Sequence, residues 1–83
     1  MKFIELKSPL PEMQVFGAIS YPYQFVIVCE HKMGKGFENW TGYTATYKNT
    51  ISKKSASIRI EGIWNNFPDA IKACEDKLAE LKN

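Results

Sequence analysis

Groups that carry out chemistry are scarce in this sequence, which has one histidine and two cysteines. Its longest apolar run, from Phe25 to Cys29, is far too short to cross a bilayer. Residues 1–7 carry charges on both sides of a very short apolar stretch, which is not the pattern of a secretory signal. These absences argue against a membrane protein and favour a reducing cytoplasm, where cysteines stay free.

No motif points to catalysis or to a metal. His31 has no positioned acidic partner in the sequence, and a general base normally needs one. Cys29, His31 and Cys74 could supply three zinc ligands, but both cysteines fall on apolar faces and are expected to be small buried residues. Gly34 and Gly36 lack the third glycine and the helix of a phosphate-binding loop. We therefore expect no catalytic residue, no metal site and no cofactor, and we predict that the protein is not an enzyme.

The length of 83 residues predicts one small domain over 1–83. A chain of this size buries roughly 60–65% of its extended surface, so it has little room for a deep cleft. Hydrophobic residues make up 45% of the chain, which is typical of a folded domain and not of a disordered one.

The clearest local signal is a helix that begins after Asn66. Asn66 is a good N-cap, Asp69 follows at the capping-box position, and Pro68 lies in the first turn, where its missing amide costs nothing. Apolar residues then recur at intervals of four and three, which draws one stripe along a helix. The residues of this stripe are Phe67, Ile71, Cys74, Leu78 and Leu81.

Upstream of the helix, alternating apolar and polar residues predict strands joined by short links. The predicted strands are 2–7 at an edge, 13–20 with a bulge at Gly17, 23–31 at the centre, 41–48 and 56–64. Consecutive strands with short links favour an antiparallel meander. The predicted fold class is therefore α+β, with a meander of four or five strands and one C-terminal helix packed on one face.

Positive charge is concentrated in the middle of the chain, although the net charge is only +2. Residues 32–59 contain six cations and one anion, whereas the segments on either side are slightly acidic. Phe37, Trp40, Tyr43 and Tyr47 lie in the same stretch. If the helix covers Tyr43 and Tyr47, these rings belong to the core, and the other face of the sheet is expected to be small and polar. That outward set is Thr44, Thr46, Lys48, Arg59 and Glu61.

The basic segment favours binding, and we predict a small non-catalytic protein-binding module that is a monomer or a homodimer. The candidate partner-binding residues are Lys32, Met33, Lys35, Phe37, Trp40, Lys48, Lys53, Lys54 and Arg59. Trp, Met and Arg often anchor interfaces, and lysines supply charge around them. The alternative is binding of single-stranded nucleic acid, because aromatic rings among cations can stack on bases and follow phosphates.

In size and shape, a meander followed by one helix resembles phage and mobile-element accessory proteins, including inhibitors of host defence complexes. The resemblance implies a protein that inhibits a host complex by occupying its surface. It concerns shape alone, and a fold does not determine a function.

Overall fold

The computed structural model describes residues 1–32, 40–52 and 56–83, and for Lys32 and Trp40 it describes the backbone only. The elements, in chain order, are β1 (Ile4–Leu6), β2 (Met13–Ser20), β3 (Tyr23–Lys32), β4 (Trp40–Asn49), β5 (Ile58–Trp64) and α1 (Phe67–Lys82). The strands form one five-stranded sheet in the order of the chain, and each strand is antiparallel to its neighbours. The predicted α+β meander with one C-terminal helix is confirmed.

Strand β3 lies at the centre of the sheet, as its run of β-branched and aromatic residues predicts. Phe25 and Ile27 are fully buried against α1, together with Ala45 of β4. Tyr43 and Tyr47 lie on the same face as these residues, since they pair with Cys29 and Phe25. Both tyrosines are partly buried and pack against the core, so of the two arrangements considered from the sequence the structure has the one in which the helix covers them.

Helix α1 begins as its local sequence predicts. Asn66 has extended backbone angles, and its side-chain oxygen accepts a hydrogen bond from the Asp69 amide at 2.9 Å. In return, the Asn66 Nδ2 atom donates to the Asp69 Oδ2 atom at 3.0 Å. This reciprocal cap satisfies an amide that has no partner within the helix and places a carboxylate at its positive end.

The predicted apolar stripe of α1 packs on the sheet, and Cys74 in its middle is fully buried. At the start of the helix, the Phe67 ring lies 4.5 Å from the Phe16 ring and 5.9 Å from the Tyr43 ring, measured between centroids. Ala70 is also fully buried, although it is not part of the predicted stripe. A methyl group at this position lets the helix backbone approach the sheet closely.

Two details of the strands differ from the prediction. Strand β2 pairs with β3 without interruption from Met13 to Ser20, so the bulge predicted at Gly17 is wrong. The irregularity lies in β5, where Gly62 has a φ of 128° and the pairing with β4 shifts. Strand β5 also begins at Ile58 and not at Ala56, which is exposed.

The buried thiol of Cys74 predicts a loss of stability at high pH. Burial, with a smaller contribution from the charge of Glu75, raises the pKa of Cys74 from 9.0 to about 11. Since the folded state then holds this proton more tightly than the unfolded state, the stabilisation is complete below about pH 9 and is lost as the pH rises towards 11. We expect the free energy of unfolding to fall by up to about 2 kcal/mol across this window through Cys74 alone.

Urea unfolding of the wild type and of Cys74→Ala at pH 8 and at pH 10.5 measures this loss. Tyr43 also titrates at high pH, and a hydrogen bond with Cys29, followed by burial, raises its pKa. Both proteins keep Tyr43, so the difference between them isolates Cys74. Parallel pH profiles for the two proteins would show that the Cys74 thiol does not contribute.

Candidate binding surface

The nine predicted binding residues are only partly placed by the described residues. Five of them lie outside the described ranges, namely Met33, Lys35, Phe37, Lys53 and Lys54. Lys32 and Trp40 pair with each other where β3 and β4 meet the connecting segment. Lys48 and Arg59 are exposed on neighbouring strands. They share a face because Arg59 pairs with Thr46, which lies two residues before Lys48.

The face of the sheet opposite α1, called here the outward face, divides into two unlike halves. The register runs across all five strands through Ile4, Gly17, Val26, Thr46 and Arg59. The next row runs through Leu6, Val15, Val28 and Thr44. Because side chains alternate along a strand, residues in these rows and their second neighbours point away from the helix.

The apolar half of the outward face is carried by the first three strands. It consists of Ile4, Leu6, Met13, Val15, Gly17, Ile19, Val26 and Val28. Three of its residues are exposed, namely Ile19 at 73%, Ile4 at 59% and Leu6 at 38%, whereas Met13, Val15, Val26 and Val28 are half-buried and Gly17 is buried. The polar half is carried by β4 and β5 and consists of Thr44, Thr46, Lys48 and Arg59.

The prediction of a small and polar outward face therefore holds for the polar half and is wrong for the apolar half. Glu61, the fifth residue of the predicted outward set, is exposed in the irregular part of β5. One sequence signal could have revealed the apolar half. From Phe25 to Cys29, strand β3 is apolar at every position, and such continuous runs are typical of strands that are covered on both faces.

A cleft of about 300 Å³ opens in the apolar half. Gly17 lines its floor on β2, between β1 and β3. The side chains around it are Lys2, Ile4, Leu6, Ile19 and Gln24. The Leu6 side chain extends over Gly17. Its Cδ1 atom is 2.9 Å from the position that a Cβ atom on Gly17 would occupy.

Cations border the apolar half at one end. Lys2 lines the cleft on the β1 side. Across the sheet, Ile19 pairs with Gln24, which pairs with Lys48, and Arg59 lies on the adjacent strand. The acidic Glu30 pairs with Met13 at the opposite end of the same face. The cleft and its surroundings therefore form an apolar depression with a basic margin.

The described residues bring few chemically reactive groups together. His31 is exposed, and its Nδ1 atom lies 2.6 Å from the Thr41 Oγ1 atom. Cys29 is buried, as predicted, and is a free thiol like Cys74. In the ranges that the structure describes, no three His, Cys, Asp or Glu side chains are grouped so that they could hold a metal ion. That the protein is not an enzyme stays a prediction.

The outward face offers no stacking platform for bases, at least among the residues that the structure describes. Tyr43 and Tyr47 point towards the helix, where the Tyr47 ring lies 6.0 Å from the Phe25 ring, measured between centroids. The side chains of Phe37 and Trp40 are not among those described. The nucleic-acid alternative therefore stays a prediction about the segment 32–59, without support from the two tyrosines.

No family model, curated protein or solved structure matches this chain. Within the described ranges, no helix has the length and apolar character needed to cross a membrane.

Proposed function

We propose that this protein is a non-catalytic protein-binding module and that its outward sheet face is the surface that a partner protein covers. The observation that carries the proposal is the exposure of the apolar half, where Ile19 and Ile4 are 73% and 59% exposed. Soluble monomers rarely leave a large contiguous apolar patch in water, and such patches usually mark interaction sites. Covering this patch with a partner would remove it from water.

The two halves of the outward face provide an internal comparison. They belong to one sheet and lie on the same side of it, opposite α1. The polar half has threonines, a lysine and an arginine, which suit a sheet face in contact with water. On the first three strands, aliphatic side chains, methionine and glycine fill the middle of the face, and polar residues, Gln24 and Glu30 among them, lie at its two ends. A solvated face alone does not account for this difference, whereas a bound partner does.

The expected strength of the contact is modest. Burying Ile4, Leu6 and Ile19, which are already partly covered, would contribute about 2–4 kcal/mol of gross stabilisation. Association costs several kcal/mol because the two proteins lose translational and rotational freedom, so further contacts are required for a stable complex. Lys48 and Arg59 at the margin can supply electrostatic steering. The predicted contacts at Lys53, Lys54 and residues 32–40 would extend the surface beyond the outward face.

The biological setting belongs to the same proposal. A phage or mobile-element accessory protein that occupies the surface of a host complex would need such a face and no active site. The two free, buried cysteines are compatible with a reducing cytoplasm.

Exchange of one exposed isoleucine tests the proposed face. We expect Ile19→Asp to reduce capture of the partner from source cells at least tenfold, because it places a carboxylate in the apolar half. Ile58→Asp is the matched control, since Ile58 is an isoleucine of a strand, is 53% exposed and lies on the helix side of the edge. Quantitative cross-linking mass spectrometry with the wild type and both variants measures capture. Equal capture by Ile19→Asp and the wild type would rule out the outward face as the contact.

A further inference from the structure

We infer that the cleft above Gly17 is the anchor site of the outward face and that it receives one large apolar side chain from an acidic segment of the partner. This inference rests on the proposed function and specifies the chemistry of the partner. Seven residues line the cleft: Lys2, Ile4, Leu6, Gly17, Ala18, Ile19 and Gln24.

The shape of the cleft selects a single side chain. Gly17 is flanked by Ile4 on β1 and Val26 on β3, and Ile19 follows it on its own strand. The cleft of about 300 Å³ lies beside Gly17, over which the Leu6 side chain extends. This volume is at the lower end of the range for ligand pockets. The cleft can accommodate one aromatic or aliphatic side chain of a partner. Hot-spot residues at interfaces are commonly single side chains buried in a pocket of the other protein.

The charges around the cleft select the flanking residues of the partner. Lys2 lies on one side of the cleft, and Gln24 on the other side is paired with Lys48. A segment whose apolar side chain enters the cleft would therefore place its neighbouring residues beside two ammonium groups. Carboxylates at these positions make the contact electrostatically complementary and suppress basic partners.

Two other occupants fit this surface less well. A second copy of this chain would bring its own Lys2, Lys48 and Arg59 to a face that already carries them. A membrane surface is usually met by Trp or Tyr at the margin of an apolar patch. Among the outward side chains that the structure describes in β1 to β5 there is no Trp or Tyr, and at the margin the exposed Tyr21 lies in the turn after β2, at one end of the patch. A partner segment with one apolar side chain and acidic neighbouring residues fits both the cleft and its basic margin.

The probe for this site is N-acetyl-L-phenylalanine, which joins an aromatic side chain to a carboxylate. A ligand of this size is expected to bind with a Kd in the millimolar range. Titration of the isotope-labelled full chain, followed by amide chemical shifts, should displace the signals of residues 4–6, 17–19 and 24. The uncharged amide of the same compound should bind several-fold more weakly, and Lys2→Gln should remove that difference.

Gly17→Ala should weaken binding of the probe at least tenfold. The new methyl group would displace the Leu6 side chain, and the two together would occupy part of the cleft. Thr44→Ala, on the polar half, is the control and should bind the probe like the wild type. If Gly17→Ala lowers the melting temperature, Ile4→Thr replaces it, since this change removes one wall at an exposed position. Shifts spread over the polar half, or equal binding by Gly17→Ala and the wild type, would overturn the anchor site.

The outcome for the anchor can be separated from the outcome for the proposed function. If Ile19→Asp loses the partner and Gly17→Ala keeps it, the outward face is the contact and the anchor inference fails. If both variants keep the partner, the proposed function itself fails. Light scattering that shows a dimer lost in Ile19→Asp would assign the face to a second copy. Ile19-dependent sedimentation with phosphatidylglycerol vesicles would assign it to a membrane, and either result overturns the inference.

Discussion

Phe25→Ala is expected to lower the free energy of unfolding by about 3–5 kcal/mol. Phe25 is fully buried in the central strand and pairs with Ala18 on one side and Tyr47 on the other. The two small neighbours Ala18 and Ala45 cannot expand into the space that the ring would leave. The variant therefore loses both the transfer free energy of the ring and the packing around the cavity.

The loss would be a large part of the total stability, since small domains have about 5–15 kcal/mol. Urea unfolding measured by circular dichroism tests it. Val26→Ala is the control, because Val26 is the next residue of the same strand, is half-buried and lies on the outward face. It should cost about 1 kcal/mol. Equal losses in the two variants would mean that the helix side of β3 is not the core.

Gly62→Ala is expected to cost about 2–4 kcal/mol, since two unfavourable effects act at one residue. Gly62 has a φ of 128°, which residues with a side chain rarely adopt. A Cβ atom at this position would also lie 3.0 Å from the Trp64 Cζ2 atom. Trp64 packs against the core and pairs with Tyr43, so its ring cannot move away without disturbing other contacts.

Gly17→Ala is the matched control for Gly62→Ala. The new methyl group would also be close to a neighbour, at 2.9 Å from the Leu6 Cδ1 atom. This atom is the free end of a flexible and partly exposed side chain, which can rotate, so we expect a cost below about 1 kcal/mol. Thermal and urea unfolding of both variants compares the two sites. If Gly62→Ala were as stable as Gly17→Ala, the irregularity in β5 would not depend on glycine.

The apolar half also bears on how the free protein avoids aggregation. The edge strand beside it, β1, has only three residues, which limits the backbone that a foreign strand could pair with. Cations at Lys2 and Lys48 border the same end of the patch. We read these features as the means by which an exposed binding face is kept available while the protein has no partner.

Local sequence alone determined helix α1 and the antiparallel order of the strands. The cap at Asn66, the following proline and the apolar stripe lie within one short segment, and their effects need no distant contact. In the same way, the alternating or continuous apolar pattern of β3 and β4 predicts extended chain wherever it is placed. The burial of Cys74 and the inward direction of Tyr43 follow from these local patterns once one helix covers one face.

Only the tertiary structure decided which side of β2 meets the helix and where the cleft lies. Phe16 and Ala18 compete with Val15 and Ile19 for the core, and both sets are apolar, so alternation along the strand does not distinguish them. The register of β2 against β3, together with the Phe67 ring over Phe16, settles the choice. The cleft is formed by residues of three strands, including Leu6, Gly17 and Gln24. Their positions in the sequence do not determine the strand register that brings them together.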